Sequence, residues 1–234
     1  MKVFINPGHM PGVDPGAMNP NSGLKECDVA LAVGKLVEYY LKNAGCEVMR
    51  LQSDNLNGES PAYPNVCKTA NDWGADVFVS LHCNAFDGYA RGIETLVFNF
   101  GGEAARLATC VHKQLVDTEQ SIDPYIPDRG LKERPNLSVL RNTEMPAILI
   151  EMGFIDNDHD VILLEHKQDA IAKAIARGVT DYENLQGGTK MKEFIKAFCD
   201  RYFNQRDRKF FRNGFIFGSV VGAVLGFVLK ATVF

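Results

Sequence analysis

The stretch that decides the fold reads Ala75-Asp76-Val77-Phe78-Val79-Ser80-Leu81-His82-Cys83-Asn84-Ala85. Its apolar run from Asp76 to Leu81 is short and rich in β-branched and aromatic residues, which predicts a buried strand. Further apolar runs occupy 2–6, 47–51, 92–98 and 147–150, and segments of helical period occupy 25–44, 64–73, 103–119 and 169–185. This alternation is typical of an α/β domain. Residues 121–136 contain three prolines and are predicted to form a loop.

Composition indicates a folded protein of one large domain with an appendage. The chain has 234 residues, of which 46% are hydrophobic and 23% are charged, and these values exclude a disordered or fibrous protein. The Gln-Gly-Gly-Thr segment at 186–189 is predicted to be a linker, so that residues 1–185 form the main domain.

Charge is distributed unevenly between the body and the C-terminal part. Residues 1–188 hold 16 Lys/Arg and 26 Asp/Glu, whereas residues 189–234 hold 9 and 3. An acidic body lacks the positive field that nucleic-acid binding requires, so we expect no nucleic-acid partner. The basic end favours contact with an anionic membrane surface.

The C-terminal part divides into two predicted helices. Residues 190–213 have apolar residues at helical spacing among Lys and Arg, which predicts a basic amphipathic helix. Residues 214–234 are apolar, with glycines at 214, 218, 222 and 226, a glycine-zipper-like repeat on one helix face. We therefore predict a transmembrane segment with capacity for self-association, and the alternative is an apolar helix that packs on the body.

Cysteine usage and the N-terminus predict synthesis in the cytoplasm. The six cysteines form no CxxC pair, which favours buried free thiols over a disulfide framework. The N-terminal residues lack the apolar core of a signal peptide. The histidines at 112, 159 and 166 lie in polar segments and are predicted to be solvated.

Polar residues follow three of the predicted strands. His9 comes after the first strand, His82 after the strand that ends at Leu81, and Glu151 after the strand 147–150; Glu26 opens the first long helix. Ligands of open α/β sheets bind outside the carboxyl ends of the strands. Two imidazoles and one carboxylate suit a catalytic zinc, and a further carboxylate would serve as general base. The residues alone thus indicate a metal-dependent hydrolase.

Several short segments, in the same order along 1–180, resemble the zinc-dependent N-acetylmuramoyl-L-alanine amidases of the amidase_3 type. These segments are 6–9 (NPGH), 12–17 (GVDPGA), 23–26 (GLKE), 70–71 (AN), 75–85 (ADVFVSLHCNA), 92–94 (GIE), 139–143 (VLRNT) and 146–155 (PAILIEMGFI). Two positions depart from the family pattern, Asn6 where Asp is usual and Met152 where Thr is common. Neither is a ligand position, although Asn6 would affect the support of the ligands.

The resemblance implies a single domain with a twisted mixed β-sheet flanked by helices. It also implies one Zn²⁺ ion held by three ligands and a glutamate that acts as catalytic base. The ligand positions are His9, Glu26 and His82, and the catalytic position is Glu151. Asn84 and Arg141 are predicted to bind substrate.

The implied reaction is hydrolysis of the amide bond between N-acetylmuramic acid and L-alanine in peptidoglycan. Together with the predicted membrane contact through 190–234, it favours a phage or prophage endolysin over a bacterial recycling or sporulation enzyme. Two other classes remain open. One is a zinc peptidase or deacetylase that acts on cell-wall material, and the other is an inactive, membrane-anchored wall-binding adaptor.

Overall fold

The computed structural model of the chain describes residues 1–202, with side chains described up to residue 188. Strands and helices alternate along most of this part. In chain order they are β1 (Lys2–Pro7), α1 (Glu26–Asn43), β2 (Glu47–Arg50), α2 (Val66–Trp73), β3 (Val77–Asn84), β4 (Ile93–Val97), α3 (Gly102–Ile122), β5 (Asp128–Glu133), α4 (Ser138–Arg141), β6 (Ala147–Phe154), α5 (Asp158–His166) and α6 (Gln168–Tyr202).

The strands form one mixed sheet in the order β2-β1-β3-β6-β4-β5. Strands β1, β2, β3 and β6 run parallel to one another, whereas β4 is antiparallel to β6 and parallel to β5. The carboxyl ends of β1, β3 and β6 therefore lie at the same edge of the sheet as the amino ends of β4 and β5. The α/β class and the mixed sheet that the sequence predicts are confirmed.

Helices cover both faces of the sheet. On β3, Val77, Val79 and Leu81 lie in a core shared with α1, α3 and α6, while Phe78 lies in a second core shared with α2 and α4. A parallel strand that is buried on both faces needs a nearly continuous apolar run, and the run from 76 to 81 meets that need. His82 follows this run, near the carboxyl end of β3.

The strand β5 corrects the prediction of a loop over 121–136. Its residues Asp128–Glu133 are mainly charged, and buried and exposed positions do not alternate along it. The segment therefore lacks the apolar pattern of a strand. The strand lies at the edge of the sheet, where one side has no neighbour and charged side chains are common. The three prolines flank the strand or precede it rather than interrupt it.

The two strands that carry predicted site residues extend further than expected. Strand β3 continues through His82 to Asn84, and β6 continues through Glu151 to Phe154. The polar residues are thus part of the sheet itself. The pleat of the strand, rather than the conformation of a loop, sets the direction in which their side chains point.

The prediction that His112 is solvated is wrong, because the side chain is buried. The residue is 7% exposed. Its Nδ1 lies 3.0 Å from the hydroxyl of Thr95, and its Nε2 lies 2.8 Å from a carboxylate oxygen of Asp128. These partners satisfy both ring nitrogens inside the domain. The described cysteines are free thiols, buried except for the half-buried Cys110.

The chain divides into two compact units, Met1–Asn184 and Leu185–Phe234. Helix α6 continues across 186–189, the segment predicted to be a linker, and reaches Tyr202 within the predicted basic helix 190–213. No helix within residues 1–202 is both long enough and apolar enough to cross a membrane. The predicted transmembrane segment 214–234 lies outside the described residues.

Candidate metal centre and active site

His9 lies in the turn that follows β1 and has a left-handed backbone, with φ of +58°. Such a conformation is uncommon for a residue other than glycine and is often found at functional sites. The Nδ1 of His9 lies 2.5 Å from the carboxylate of Asp14, which also accepts a hydrogen bond of 2.9 Å from the amide of Gly16. Asp14 thereby fixes the orientation of the imidazole, and Nε2 points towards Glu26.

Glu26 is the first residue of α1 and its carboxylate is buried. Its Oε2 lies 3.1 Å from Nε2 of His9, and its Oε1 lies 2.9 Å from Nδ1 of His82. The amides of Ala17 and Cys83 donate hydrogen bonds of 2.9 and 3.0 Å to the same carboxylate. Turn, helix and strand are therefore joined at one carboxyl group.

Two glycines allow the three side chains to approach one another. A Cβ atom added at Gly8 would lie 2.3 Å from the ring of His82, and one added at Gly16 would lie 2.6 Å from both Glu26 and His9. A Cβ atom does not tolerate contacts of this length. The glycines of the NPGH and GVDPGA segments are thus required by the packing around the site.

The electrostatics of the cluster fit a cation. Hydrogen bonding to Glu26 raises the pKa of His9 to about 9, against the effect of burial. Burial would raise the pKa of Glu26, but the hydrogen bonds from His82 and His9 outweigh it and lower that pKa. The carboxylate is therefore ionised, and both imidazoles are held against it by hydrogen bonds.

The donor set matches a zinc site. Ligand atoms of His9, Glu26 and His82 all lie within 4.8 Å of one another. Without a metal, each imidazole nitrogen that faces Glu26 needs a proton to make its short contact. A divalent cation can replace these protons and bind all three groups, and two imidazoles with one carboxylate are a common catalytic zinc set.

Glu151 lies in β6, directly opposite His82 in β3 and directly opposite Glu94 in β4. Its Oε2 is inaccessible to solvent and has no hydrogen-bond partner among the described residues. Burial raises the pKa of Glu151 to about 8, and the negative charges of Glu26 and Glu94 act in the same direction. A carboxyl group in such surroundings is suited to gain and release a proton near neutral pH.

Asn84 lies on the same side of the site, but its amide is used within the protein. The Nδ2 of Asn84 donates a hydrogen bond of 3.1 Å to Glu94. Glu94 also contacts Arg129 at 2.9 Å and Lys132 at 3.0 Å. Burial would raise the pKa of Glu94, but these two cations lower it, so the carboxylate is ionised.

Sequence reasoning missed Glu94, Arg129 and Lys132 as residues of the site. Glu94 has the same sequence signal as Glu151, a carboxylate inside an apolar strand. The same signal does not identify Arg129 and Lys132, because the charged sequence of β5 predicts a loop.

Arg141 lies apart from this cluster. It is an exposed residue of α4, before the amino end of β6, and it lines a cavity of about 450 Å³ with Phe98, Thr143 and Ala147. None of His9, Glu26, His82 and Glu151 lines that cavity. A role of Arg141 in substrate binding stays a prediction.

Comparison with known proteins places this architecture in a family. The family profile described as N-acetylmuramoyl-L-alanine amidase, Amidase_3, matches residues 3–181. The sporulation-specific N-acetylmuramoyl-L-alanine amidase of Bacillus subtilis is 33% identical over 179 residues, which cover 76% of this chain and 65% of the relative. The matched region thus spans slightly less than two thirds of that relative's length.

An endolysin of Bacillus phage SPP1 is 33% identical over 204 residues, covering 82% of this chain and 70% of the endolysin. Among solved structures, the N-acetylmuramoyl-L-alanine amidase AmiC2 of Nostoc punctiforme has a TM-score of 0.66 at 30% identity, covering 79% of this chain and 97% of that one. The match of the family profile across most of the chain, with the same fold in a solved amidase, shows that the chain belongs to the Amidase_3 family of N-acetylmuramoyl-L-alanine amidases.

Proposed function

We propose that the chain is a zinc-dependent amidase that cleaves the bond between N-acetylmuramic acid and L-alanine in peptidoglycan. The observation that carries this proposal is the cluster of His9, Glu26 and His82 beside Glu151, a carboxyl group with one unpartnered oxygen among the described residues. Membership in the amidase family supports the choice of substrate. An inactive adaptor would have no need for a free carboxylate next to a metal site.

In the proposed reaction, the metal and Glu151 have separate roles. Zn²⁺ bound by His9, Glu26 and His82 would lower the pKa of water towards about 7 and polarise the scissile carbonyl. Glu151 takes the proton of the attacking water and delivers it to the nitrogen of the departing L-alanine. Because Oε2 of Glu151 has no hydrogen-bond partner among the described residues, protonation of this carboxylate breaks no protein contact there.

Mass spectrometry of fragments released from purified peptidoglycan tests the reaction. An amidase releases free lactyl carboxylates on muramic acid together with new L-alanine amino termini. A peptidase would release only new ends within the peptide, and a deacetylase would leave free amino groups on the sugar. Either of these product patterns would contradict the proposal.

Elemental analysis tests the metal. We expect one zinc per chain, and we expect His82→Ala to lose zinc and activity together because it removes one of three protein ligands. A suitable control is His166→Ala, which removes an exposed histidine of α5 outside the cluster. Stoichiometric zinc and full turnover in His82→Ala would show that the ligand assignment is wrong.

The cellular role that we propose is wall lysis of the endolysin type, with membrane contact through residues 190–234. The similarity to the endolysin of phage SPP1 and the basic and apolar composition of this part support the proposal. Deletion of 189–234 should abolish binding to anionic liposomes and dye release while hydrolysis of purified peptidoglycan continues. A full-length chain that neither binds nor permeabilises such liposomes would exclude the membrane role.

A further inference from the structure

Arg129 and Lys132 lie on the same face of the sheet as the proposed catalytic group. Glu94 is directly opposite Glu151 in the ladder between β4 and β6, so both side chains point to one face. Arg129 Nε and Lys132 Nζ both contact Oε2 of Glu94, at 2.9 and 3.0 Å. Their strand, β5, lies two strand spacings, roughly 9.6 Å, from β6, and both cations contact the β4 carboxylate that is opposite Glu151.

A β-bulge accounts for this placement. Residues three apart in a regular strand point to opposite faces, yet Arg129 and Lys132 reach the same carboxylate. The register between β4 and β5 shifts between Ile93 and Thr95, and Gly130 has a φ of +74°. The extra residue on β5 turns both cations towards Glu94, and bulges that redirect a side chain are common beside active sites.

The charges of Glu94, Arg129 and Lys132 do not sum to zero. Glu94 supplies one negative charge, and Asn84 already donates a hydrogen bond to its other oxygen. Two cations on one carboxylate leave a surplus of one positive charge, and both side chains remain partly exposed, at 34% for Arg129 and 30% for Lys132. Among the described residues, Lys132 has no other acidic partner.

Arg129 is also held in a fixed orientation. Its guanidinium carbon lies 4.9 Å from the centre of the Phe154 ring, and Nη1 donates a long hydrogen bond of 3.4 Å to the carbonyl of Arg91. Its Nη2 has no acceptor among the described residues. A planar cation that is held in place and has a free donor is suited to bind a carboxylate.

We propose that Arg129 and Lys132 form a subsite for the α-carboxylate of the second stem-peptide residue, D-glutamate. This inference rests on the proposed amidase function, which places the L-alanine side of the scissile bond near Glu151. Two residues of extended peptide span about 7 Å, which takes the peptide past β4, about 4.8 Å from β6, towards the cations held at Glu94. Peptidoglycans differ in whether this carboxylate is free or amidated, so the subsite sets a preference for walls with the free acid.

Binding of short peptides to the zinc-loaded, full-length protein tests the subsite without relying on turnover. The probes are L-alanyl-D-glutamic acid and L-alanyl-D-isoglutamine, both capped as the γ-methylamide so that only the α-group differs. We expect calorimetry to give about tenfold tighter binding of the acid, the size of effect of one charge-assisted hydrogen bond. We expect Lys132→Met and Arg129→Gln each to reduce this preference to twofold or less.

Lys132→Arg keeps the charge and should retain the preference, and Lys113→Met, on the exposed side of α3, is the matched control. Equal affinity of the wild type for the two peptides, or no binding of either, would overturn the subsite. An equal loss for both peptides in Lys132→Met would also overturn it, since that result indicates a structural role. A preserved preference without hydrolysis of peptidoglycan would instead contradict the proposed amidase function and leave the subsite standing.

Discussion

Glu151 lies directly opposite His82 in the ladder between β6 and β3. The main-chain hydrogen bonds of the sheet therefore fix the separation of the proposed base and one proposed zinc ligand. The other two ligands are placed differently, because His9 comes from a turn and Glu26 from the start of a helix. We expect substitutions in the turn that carries His9 to alter metal binding without displacing Glu151.

Replacing Glu151 with Gln should keep the fold and the zinc while slowing hydrolysis about 10²–10⁴-fold, the usual cost of losing a general base. The amide has nearly the shape of the carboxyl group but does not accept a proton near neutral pH. Turnover on purified peptidoglycan and zinc content are the measurements. Glu144→Gln, at an exposed position, removes the same charge and should leave turnover unchanged. Full activity of Glu151→Gln would exclude the assigned role.

Replacing Asp14 with Asn should weaken zinc binding about 10–100-fold, as is typical when the partner of a metal-binding histidine is lost. The Asp14 carboxylate contacts Nδ1 of His9 and keeps Nε2 pointed at Glu26. Competition with a chelator measures the affinity. Asp28→Asn removes an exposed carboxylate two residues from Glu26 and is the control. Equal affinities of the two variants would mean that Asp14 does not position His9.

The convergence of His9, Glu26 and His82 could be predicted because their segments carry independent local signals. His82 and Glu151 both follow apolar runs, and burial of the Glu151 charge at such a position is costly without a partner. The resemblance to the family then separated the three ligand positions from the base. His9, Glu26 and His82 converge in the structure, while their role as ligands, the role of Glu151 as base and the metal itself stay predictions.

The part of the site on β5 was not predicted because an edge strand of charged residues has no apolar alternation. Once β5 was missed, neither the bulge at Gly130 nor the contact of Arg129 with Glu94 could be inferred. The prediction that His112 is solvated was wrong for a related reason, because its partner Asp128 belongs to the same strand. A tertiary contact between a helix and an unrecognised strand leaves no pattern in either segment alone.

Replacing Gly16 with Ala should disrupt the metal site, whereas the same change at Gly12 should not. Both glycines have positive φ, +67° and +81°, so each alanine costs about 1 kcal/mol of backbone strain. Only at Gly16 would the new Cβ meet Glu26 and His9, each at 2.6 Å, because no atom of the described residues lies within 4 Å of a Cβ at Gly12. Zinc affinity should therefore fall more than about tenfold in Gly16→Ala alone. Equal zinc affinities of the two variants would contradict the close packing.

Replacing Glu119 with Gln should stabilise the domain at neutral pH. Glu119 is fully buried, and neither carboxyl oxygen has a hydrogen-bond partner among the described residues. Burial raises its pKa well above the ordinary value, and the charge of Asp160 adds to the effect. The folded state thus holds the proton more tightly than the unfolded state does, so this group's favourable contribution is present below about pH 4.5 and is lost as pH rises towards the folded pKa.

The Gln variant carries no charge at any pH, so it escapes that loss. Its free energy of unfolding should exceed that of the wild type at pH 7 by about 1.4 kcal/mol for each unit by which the folded pKa is raised, counted no further than pH 7, and the two should converge near pH 4. Urea titrations at both pH values measure the difference. Glu144→Gln, which removes an exposed carboxylate, should show no such divergence. If Glu119→Gln were less stable than the wild type at pH 7, the carboxylate would have to be stabilised in the folded domain, and burial would not be its dominant influence.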